Sequence, residues 1–449
     1  MCGKSKYTRI AAFAAMLILI ISSVAMLPAY AYENPTPPSV SMVESVCLYD
    51  KTHEKTIVSE NVDKIVNTST SAKIITGLIA CEMLEENLDE YFTVEKKMLD
   101  LVSGYSMKLK DGEKIKIRDL LYGAICGSYN DAAYVLAYAC AGSIDDFVSL
   151  MNRKAIDLGA LSTNYTNPIG YPDHSAMVTT ANDTLRIALA ASENQLYMEM
   201  CSAIKHEISK TNKSDSRTFY NRNALVSTGA GTEKNYHNSK CFGMNAGYSG
   251  EAGGWSVVTL ARDDGADYIC IVLGGKESED GSQIYAYESV NTLVEWACNT
   301  YNVYNIFPAD KQVGTTKVKL SGVSGNDAPY VTATDLSVYI PTDTSYNTEL
   351  SYNILLDSKS VSAPISAGTK IGVVRVYCNG ENVGECDLIL KEDYEANGIM
   401  MVIEKLGTYT KSRAFFATVV CFVILLAAVL IFFRSNHNMR GRRRRYVRR

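Results

Sequence analysis

Asn67-Thr68-Ser69-Thr70-Ser71-Ala72-Lys73-Ile74-Ile75-Thr76 opens an apolar run that reads as a helix. It places a hydroxyl residue, Thr70, three positions before Lys73. Residues i and i+3 share one face of a helix, so the pair is set side by side, the geometry of a nucleophile with its proton acceptor. Ser69 lies four residues before Lys73 and shares the same face, which leaves it open as a second hydroxyl at a different spacing. Ser71 points elsewhere, and a helix N-cap is the other ordinary use of a hydroxyl at Thr70.

Two later segments complete a series. Ser128-Tyr129-Asn130 falls between apolar helical segments, and Asn245-Ala246-Gly247 precedes the strand-like run from Trp255 to Leu260. The order S-x-x-K, then S-D-N, then K-T-G is that of class A β-lactamases and penicillin-binding proteins. Only the middle motif keeps both outer residues here. Threonine replaces serine in the first, and the third lacks its lysine and threonine. Surrounding residues narrow the likeness: Ser128 to Ala133, Met151-Asn152-Arg153-Lys154-Ala155 with Leu158-Gly159, Asn167-Pro168-Ile169-Gly170-Tyr171 with His174, and Thr180-Ala181-Asn182-Asp183. From about Val43 to Asp393 the chain resembles the D-alanyl-D-alanine carboxypeptidases, low-molecular-weight penicillin-binding proteins that trim peptidoglycan stem peptides.

That resemblance implies roles. Thr70 would stand where the family's serine attacks the carbonyl between the two terminal D-alanines, with Lys73 taking its proton. Ser128 would relay a proton toward the leaving amine, and Asn130 would hold the substrate backbone and the lysine. Asn245, Ala246 and Gly247 would form the substrate-binding element that, in relatives, binds the free carboxylate of the last D-alanine. Threonine's extra methyl restricts χ1 and crowds an incoming carbonyl. Asn245 keeps hydrogen-bonding capacity without charge, Ala246 keeps none, and Gly247 still permits close backbone approach. A hydrogen bond to a charged group contributes about 1.5 to 3 kcal/mol, so losing two such contacts costs several powers of ten in turnover. The expectation is a catalytically impaired relative that binds wall peptides or a protein partner, the alternative being a working serine/threonine-type carboxypeptidase. β-Lactams are a further expected ligand class, and no metal or organic cofactor is expected.

The ends of the chain give a topology. Lys4, Lys6 and Arg9, the apolar run Ile10 to Leu27, and Ala29-Tyr30-Ala31 make a secretory signal peptide cleaved after Ala31, with an uncleaved anchor as the other use of the pattern. Ala414 to Phe433 is twenty residues without a charge, enough for a transmembrane helix through about 30 Å of hydrocarbon. The sixteen-residue tail from Arg434 to Arg449 carries eight arginines, which places it in the cytoplasm and the domains outside.

Charge divides accordingly. Of 44 Lys and Arg, three lie in the signal segment and ten from Lys411 onward, leaving 31 against 49 acidic residues and a net charge of −18 in the exported part. An acidic surface argues against nucleic acid as a partner. Ten cysteines remain in that part once Cys2 and Cys421 are set aside, a count compatible with disulfides outside the cell. Cys378 and Cys386 flank Asn379-Gly380 in an expected hairpin and are placed to face each other, whereas Cys81, Cys126, Cys140 and Cys270 lie in apolar patterns that suit buried thiols.

Between the ends, short strands (Val43 to Tyr49, Trp255 to Leu260, Tyr268 to Leu273) bracket helical stretches such as Ile74 to Glu86, Ile117 to Ala139 and Ile144 to Leu158. This predicts an α+β fold over 32–300, its sheet built from both ends of the segment, resembling the penicillin-binding-protein/β-lactamase domain. Alternating β-branched segments over 316–405 predict a small all-β domain. In the family resemblance that domain is a spacer holding the catalytic domain off the membrane.

Overall fold

A computed structural model of the chain describes residues 35–170, 177–251, 253–263, 265–322, 327–342 and 350–446. The expected signal segment 1–31, Tyr171 and His174 lie outside the described residues. The contacts divide the chain into a larger unit, essentially up to Val303, and a second unit from Tyr304 onward.

The larger unit is built on one antiparallel sheet. Strands β1 (Ser45–Asp50) and β2 (Lys55–Glu60) come from its start, and β3 (Cys241–Tyr248), β4 (Trp255–Asp263) and β5 (Ala266–Gly275) from its end. Their order across the sheet is β2-β1-β5-β4-β3, so the two ends of the segment meet where β1 pairs with β5. Side chains alternate across a strand. Ile269, Ile271 and Leu273 of β5 therefore join the helical core, while Tyr268, Cys270 and Val272 face Tyr287, Val290, Leu293 and Val294 of a helix spanning Tyr285–Thr300. Both faces of the sheet are covered, which gives the expected α+β architecture.

The helical side is organised around α1 (Ala72–Leu84), buried at eleven of its thirteen positions. A helix apolar nearly all round belongs inside a domain, and Gly77 lets its neighbours close in. A Cβ there would lie 2.8 Å from Ile125 and 2.9 Å from Tyr197. The helical stretch expected from Ile117 to Ala139 is two helices, α2 (Ile117–Ile125) and α3 (Asn130–Ala141), which meet at the expected Ser128-Tyr129-Asn130 segment, with Ser128 at φ of +52°. That left-handed backbone is costly for a residue with a Cβ. It turns the chain so that both the carbonyl and the hydroxyl of Ser128 face α1. Helix α4 (Ile144–Asp157) follows as expected, its N-terminus capped by Ser143.

The second unit carries a six-stranded sheet. Strands β6 (Gln312–Lys319), β7 (Asp327–Thr332), β8 (Leu350–Leu356), β9 (Ser360–Ser362), β10 (Lys370–Cys378) and β11 (Glu381–Leu390) lie in the order β8-β10-β11-β7-β6-β9, with only β6 and β9 parallel. The β10–β11 hairpin turns at Asn379-Gly380 as expected, but the two cysteines do not face each other. The two-residue turn pairs Cys378 with Glu381, and the register then sets Cys386 opposite Val374. None of the eleven described cysteines is joined in a disulfide. Cys81, Cys126 and Cys270 are buried and Cys140 half-buried; burial pushes the thiols of Cys126 and Cys140 up to about 12. Beyond the sheet lie an exposed helix, Gly398–Thr410, and a helix from Arg413 to Tyr446. Arg413–Arg434 is long and apolar enough to cross a membrane.

Candidate active site

Thr70 does not sit in the regular part of α1. It lies in a 3-10 turn, Ser69–Ser71, just before it, and its hydroxyl caps nothing in that helix. Thr70 Oγ1 instead pairs with Ser256 Oγ of β4 at 3.1 Å. Ser69 is held away with φ of +47°, its hydroxyl donating to the Gly254 carbonyl at 3.2 Å, and the Ser71 hydroxyl donates to the Thr68 carbonyl. Of the three hydroxyls before Lys73, only that of Thr70 borders the cleft.

Lys73 is buried and points across to the α2–α3 break. Its ammonium donates to the Ser128 carbonyl at 2.7 Å and to Ser128 Oγ at 3.0 Å. No hydrogen bond joins it to Thr70 among the described residues. Burial lowers the Lys73 pKa to about 7, helped by the nearby Arg222 charge and opposed by Asp131. Such a lysine is partly neutral at physiological pH, as a proton acceptor must be. Asn130, the first residue of α3, donates from Nδ2 to the Ser103 carbonyl at 2.6 Å. Its neighbour Asp131 accepts from the backbone N–H groups of Met107 and Leu109 and from the Ser106 hydroxyl. The pair pins the Ser103–Leu109 loop, which carries Tyr105, along one edge of the cleft.

Thr70, Lys73, Ser128, Asn130, Ala246 and Gly247 border one cleft of about 270 Å³. Asn245 is not among the lining residues. It is buried in β3 opposite Val258, with its side-chain oxygen left without a partner among the described residues. Ala246 edges the cleft, but it belongs to the apolar cluster under the Tyr285–Thr300 helix. Gly247 answers directly to Thr70, since a Cβ at 247 would lie 2.8 Å from both Thr70 Cγ2 and Oγ1. The strand therefore passes as close to the threonine as its extra methyl allows.

Motif reading missed four contributors: Ser256, Tyr105, Arg222 and Tyr248. The one signal in the sequence was Ser256, a polar residue beside the apolar Val257-Val258, and the structure buries it completely. Arg222 lies in Asn221-Arg222-Asn223, a polar tripeptide with no motif spacing to either catalytic segment. Among the described residues, no cluster of three or more His, Cys, Asp or Glu is placed to hold a metal ion.

Comparison with known proteins identifies the family. Residues 33–277 match the family described as D-alanyl-D-alanine carboxypeptidase, and residues 301–396 match the C-terminal domain of penicillin-binding protein 5. The D-alanyl-D-alanine carboxypeptidase DacF of Bacillus subtilis is 23% identical over 377 residues, covering 82% of this chain and 90% of its own. DacD of Escherichia coli is 25% identical over 371 residues, covering 80% and 88%. In fold, penicillin-binding protein 5 of Haemophilus influenzae matches with a TM-score of 0.57 at 21% identity, over 80% of this chain and 99% of its own. With a match over more than half its length and the motif segments gathered at one cleft, the chain belongs to the D-alanyl-D-alanine carboxypeptidase family.

Proposed function

We propose that the protein is a membrane-anchored member of this family that binds peptidoglycan stem peptides in the Thr70–Lys73 cleft and hydrolyses them poorly. The observation that carries the reading is the pairing of the Thr70 hydroxyl with Ser256 while the Lys73 ammonium is engaged by Ser128. A weak alcohol nucleophile needs its base within hydrogen-bond reach, and here both partners are committed elsewhere. The uncharged Asn245-Ala246 pair supports the same conclusion, because a transition state that depends on a held carboxylate loses that hold. Thr70 and Lys73 remain the nucleophile and base of whatever turnover persists, with Ser128 and Asn130 as proton relay and backbone holder, and Ala246 and Gly247 as the strand edge on which the peptide lies.

A working threonine-type carboxypeptidase is the second reading, favoured by the lowered pKa of Lys73. Fluorescent penicillin and a stem pentapeptide distinguish them. The impaired reading expects faint labelling and slow D-alanine release, both raised by restoring Thr70→Ser, Asn245→Lys and Ala246→Thr together and little by any one alone, since groups acting as a unit are non-additive. Robust release by the unaltered chain, abolished by Thr70→Ala, establishes the second reading instead.

The anchor belongs to the same proposal. The signal segment 1–31 directs export, domains 32–300 and 316–405 lie outside, 414–433 spans the bilayer and the arginine tail 434–449 lies in the cytoplasm. Protease added to intact cells is expected to remove the domains and spare the tail; digestion of the tail from outside refutes the orientation.

A further inference from the structure

A second cavity of the larger unit, of about 580 Å³, shares no lining residue with the cleft. Lys108, Lys110 and Arg217 line it together with the hydroxyl residues Ser106, Ser214 and Ser216. The carboxylate that also lines it, Asp215, pairs with Lys210 at 3.3 Å. Two segments of chain, 105–119 and 205–217, supply most of its wall, and they hold nine Lys and Arg against five Asp and Glu in an exported part whose net charge is −18. Cations are gathered here against the trend of the molecule.

A buried carboxylate ties the two segments into one surface. Glu113, with no exposure, accepts from the Thr211 hydroxyl at 2.8 Å, from the Lys110 backbone N–H at 3.1 Å and from the Arg217 guanidinium. The Asn212 side chain accepts from the Lys114 backbone N–H at 2.7 Å and donates to the Gly112 carbonyl at 2.8 Å, and Lys110 Nζ donates to the Lys213 carbonyl at 2.9 Å. Lys108 has φ of +60°, a backbone that is costly for a residue with a Cβ. Its N–H donates to Ser106 Oγ at 2.9 Å, and the Ser106 hydroxyl donates in turn to Asp131 at 2.7 Å. So held, Lys108 is exposed beside the cavity and has no ion pair among the described residues.

We propose that this cavity and the lysines around it bind a phosphodiester polymer of the wall, at a site separate from the stem-peptide cleft. A planar carboxylate is best matched by the guanidinium fork. Arg217, however, is engaged by Glu113 and by the Met107 carbonyl at 3.1 Å, which leaves lysines and hydroxyls to meet a ligand. An ammonium is a compact point charge whose three donors lie in no fixed plane, which suits a tetrahedral phosphate, and hydroxyls can donate to its remaining oxygens. Lys114 and Lys213 continue the charge, exposed, onto the surface beyond the cavity. A chain of phosphates meets several of these cations at once, whereas a single anion meets one or two. The acidic remainder of the exported part repels such a polymer and so directs it to this patch.

The test uses the full-length chain in detergent with two probes, poly(glycerol phosphate) and poly-L-glutamate of matched charge, with affinities from calorimetry. Poly(glycerol phosphate) is expected to bind more tightly than poly-L-glutamate, and more weakly as salt is raised from about 50 to about 200 mM. Joint replacement Lys108→Gln, Lys110→Gln and Lys213→Gln is expected to weaken it about tenfold or more. The same change of charge in the second unit, Lys311→Gln, Lys317→Gln and Lys319→Gln, is expected to leave it unchanged. A measurement on the unaltered protein makes the outcome independent of any variant's folding: bound polymer is expected to slow acetylation of Lys108, Lys110 and Lys213 by acetic anhydride, but not that of Lys317, as read by mass spectrometry. Equal losses in the two triple variants, or protection spread over both units, would show diffuse attraction and overturn the site. Poly-L-glutamate binding as tightly overturns the assignment to phosphate, and absence of binding by poly(glycerol phosphate) overturns the proposal outright. The stem-peptide reading stands apart from each of these outcomes, since none of the six lysines borders the cleft.

Discussion

Replacing Lys73 with methionine tests the feature on which any chemistry at this cleft depends. In the folded protein the ammonium is buried and its pKa falls from 10.5 to about 7, with burial the largest cause and Arg222 the next. An unfolded chain returns it to the ordinary value, so between pH 7 and 10.5 the unfolded state binds more protons and stability rises with pH. The contribution is complete above pH 10.5 and is lost as pH falls toward 7. A difference of three and a half pH units corresponds to about 5 kcal/mol at 1.36 kcal/mol per unit. Between pH 7.5 and 9.5, where both pKa values bear on the curve, the gain is about 2.5 kcal/mol. Lys73→Met keeps the length of the side chain, removes the titration and is flat over that window from this cause. Denaturant unfolding of both proteins at half-unit intervals should show the stability difference shifting by that amount in favour of the lysine as pH rises. Comparing the two proteins cancels the tyrosines and other groups they share. Parallel curves would falsify the claim that Lys73 is held partly neutral, and with it the role of proton acceptor.

Two further substitutions probe the walls of the cleft. Gly247→Ala places a methyl 2.8 Å from Thr70 Cγ2 and Oγ1, and overpacking of this kind costs about 1 to 3 kcal/mol; Thr70→Ser removes one of the two clashing atoms, so a double-mutant cycle by thermal unfolding should give a favourable coupling, and simple additivity counts against the contact. Asp131→Ala strands the backbone donors of Met107 and Leu109 and should cost about 2 to 5 kcal/mol, with faster proteolysis in the Ser103–Leu109 loop as its local signature; unchanged loop protection would show that Asp131 does not hold it.

What the sequence made legible followed from local physics. The short apolar run Tyr268 to Leu273 was read as a strand, and it is β5, at the centre of the sheet. Thr70 and Lys73, three residues apart, border one cleft although Thr70 lies in the 3-10 turn before α1, because an i, i+3 pair stays on one side of either kind of helical turn. The errors came where tertiary packing overrides the local pattern. Ser128-Tyr129-Asn130 was placed between apolar helical segments, which is where it lies, but the left-handed backbone that turns the Ser128 carbonyl and hydroxyl toward Lys73 leaves no compositional trace. Cys378 and Cys386 were assigned to a real hairpin, but a two-residue turn sets the pairing at 378 and 381, which carries position 386 well along the partner strand.

The charge of the site shows the same limit more sharply. A motif reading compares positions, and at Asn245 and Ala246 it finds a loss. Electrostatics does not depend on which position supplies a cation, only on where its charge ends up, and a strand edge can be served from any element that packs beside it. Arg222 reaches the cleft from a segment more than twenty residues before the motif, held there by Asn221, Asn223 and the Tyr105 ring. Ser256 likewise meets Thr70 across 186 residues of chain. Eroded motifs thus bear differently on the two steps of the reaction. Binding a carboxylate needs a fixed cation anywhere along the wall, whereas proton transfer needs Thr70 and Lys73 in direct register, and here the Thr70 hydroxyl pairs with Ser256 while the Lys73 ammonium pairs with Ser128. On the impaired reading proposed above, a cleft altered in this way keeps recognition more readily than turnover.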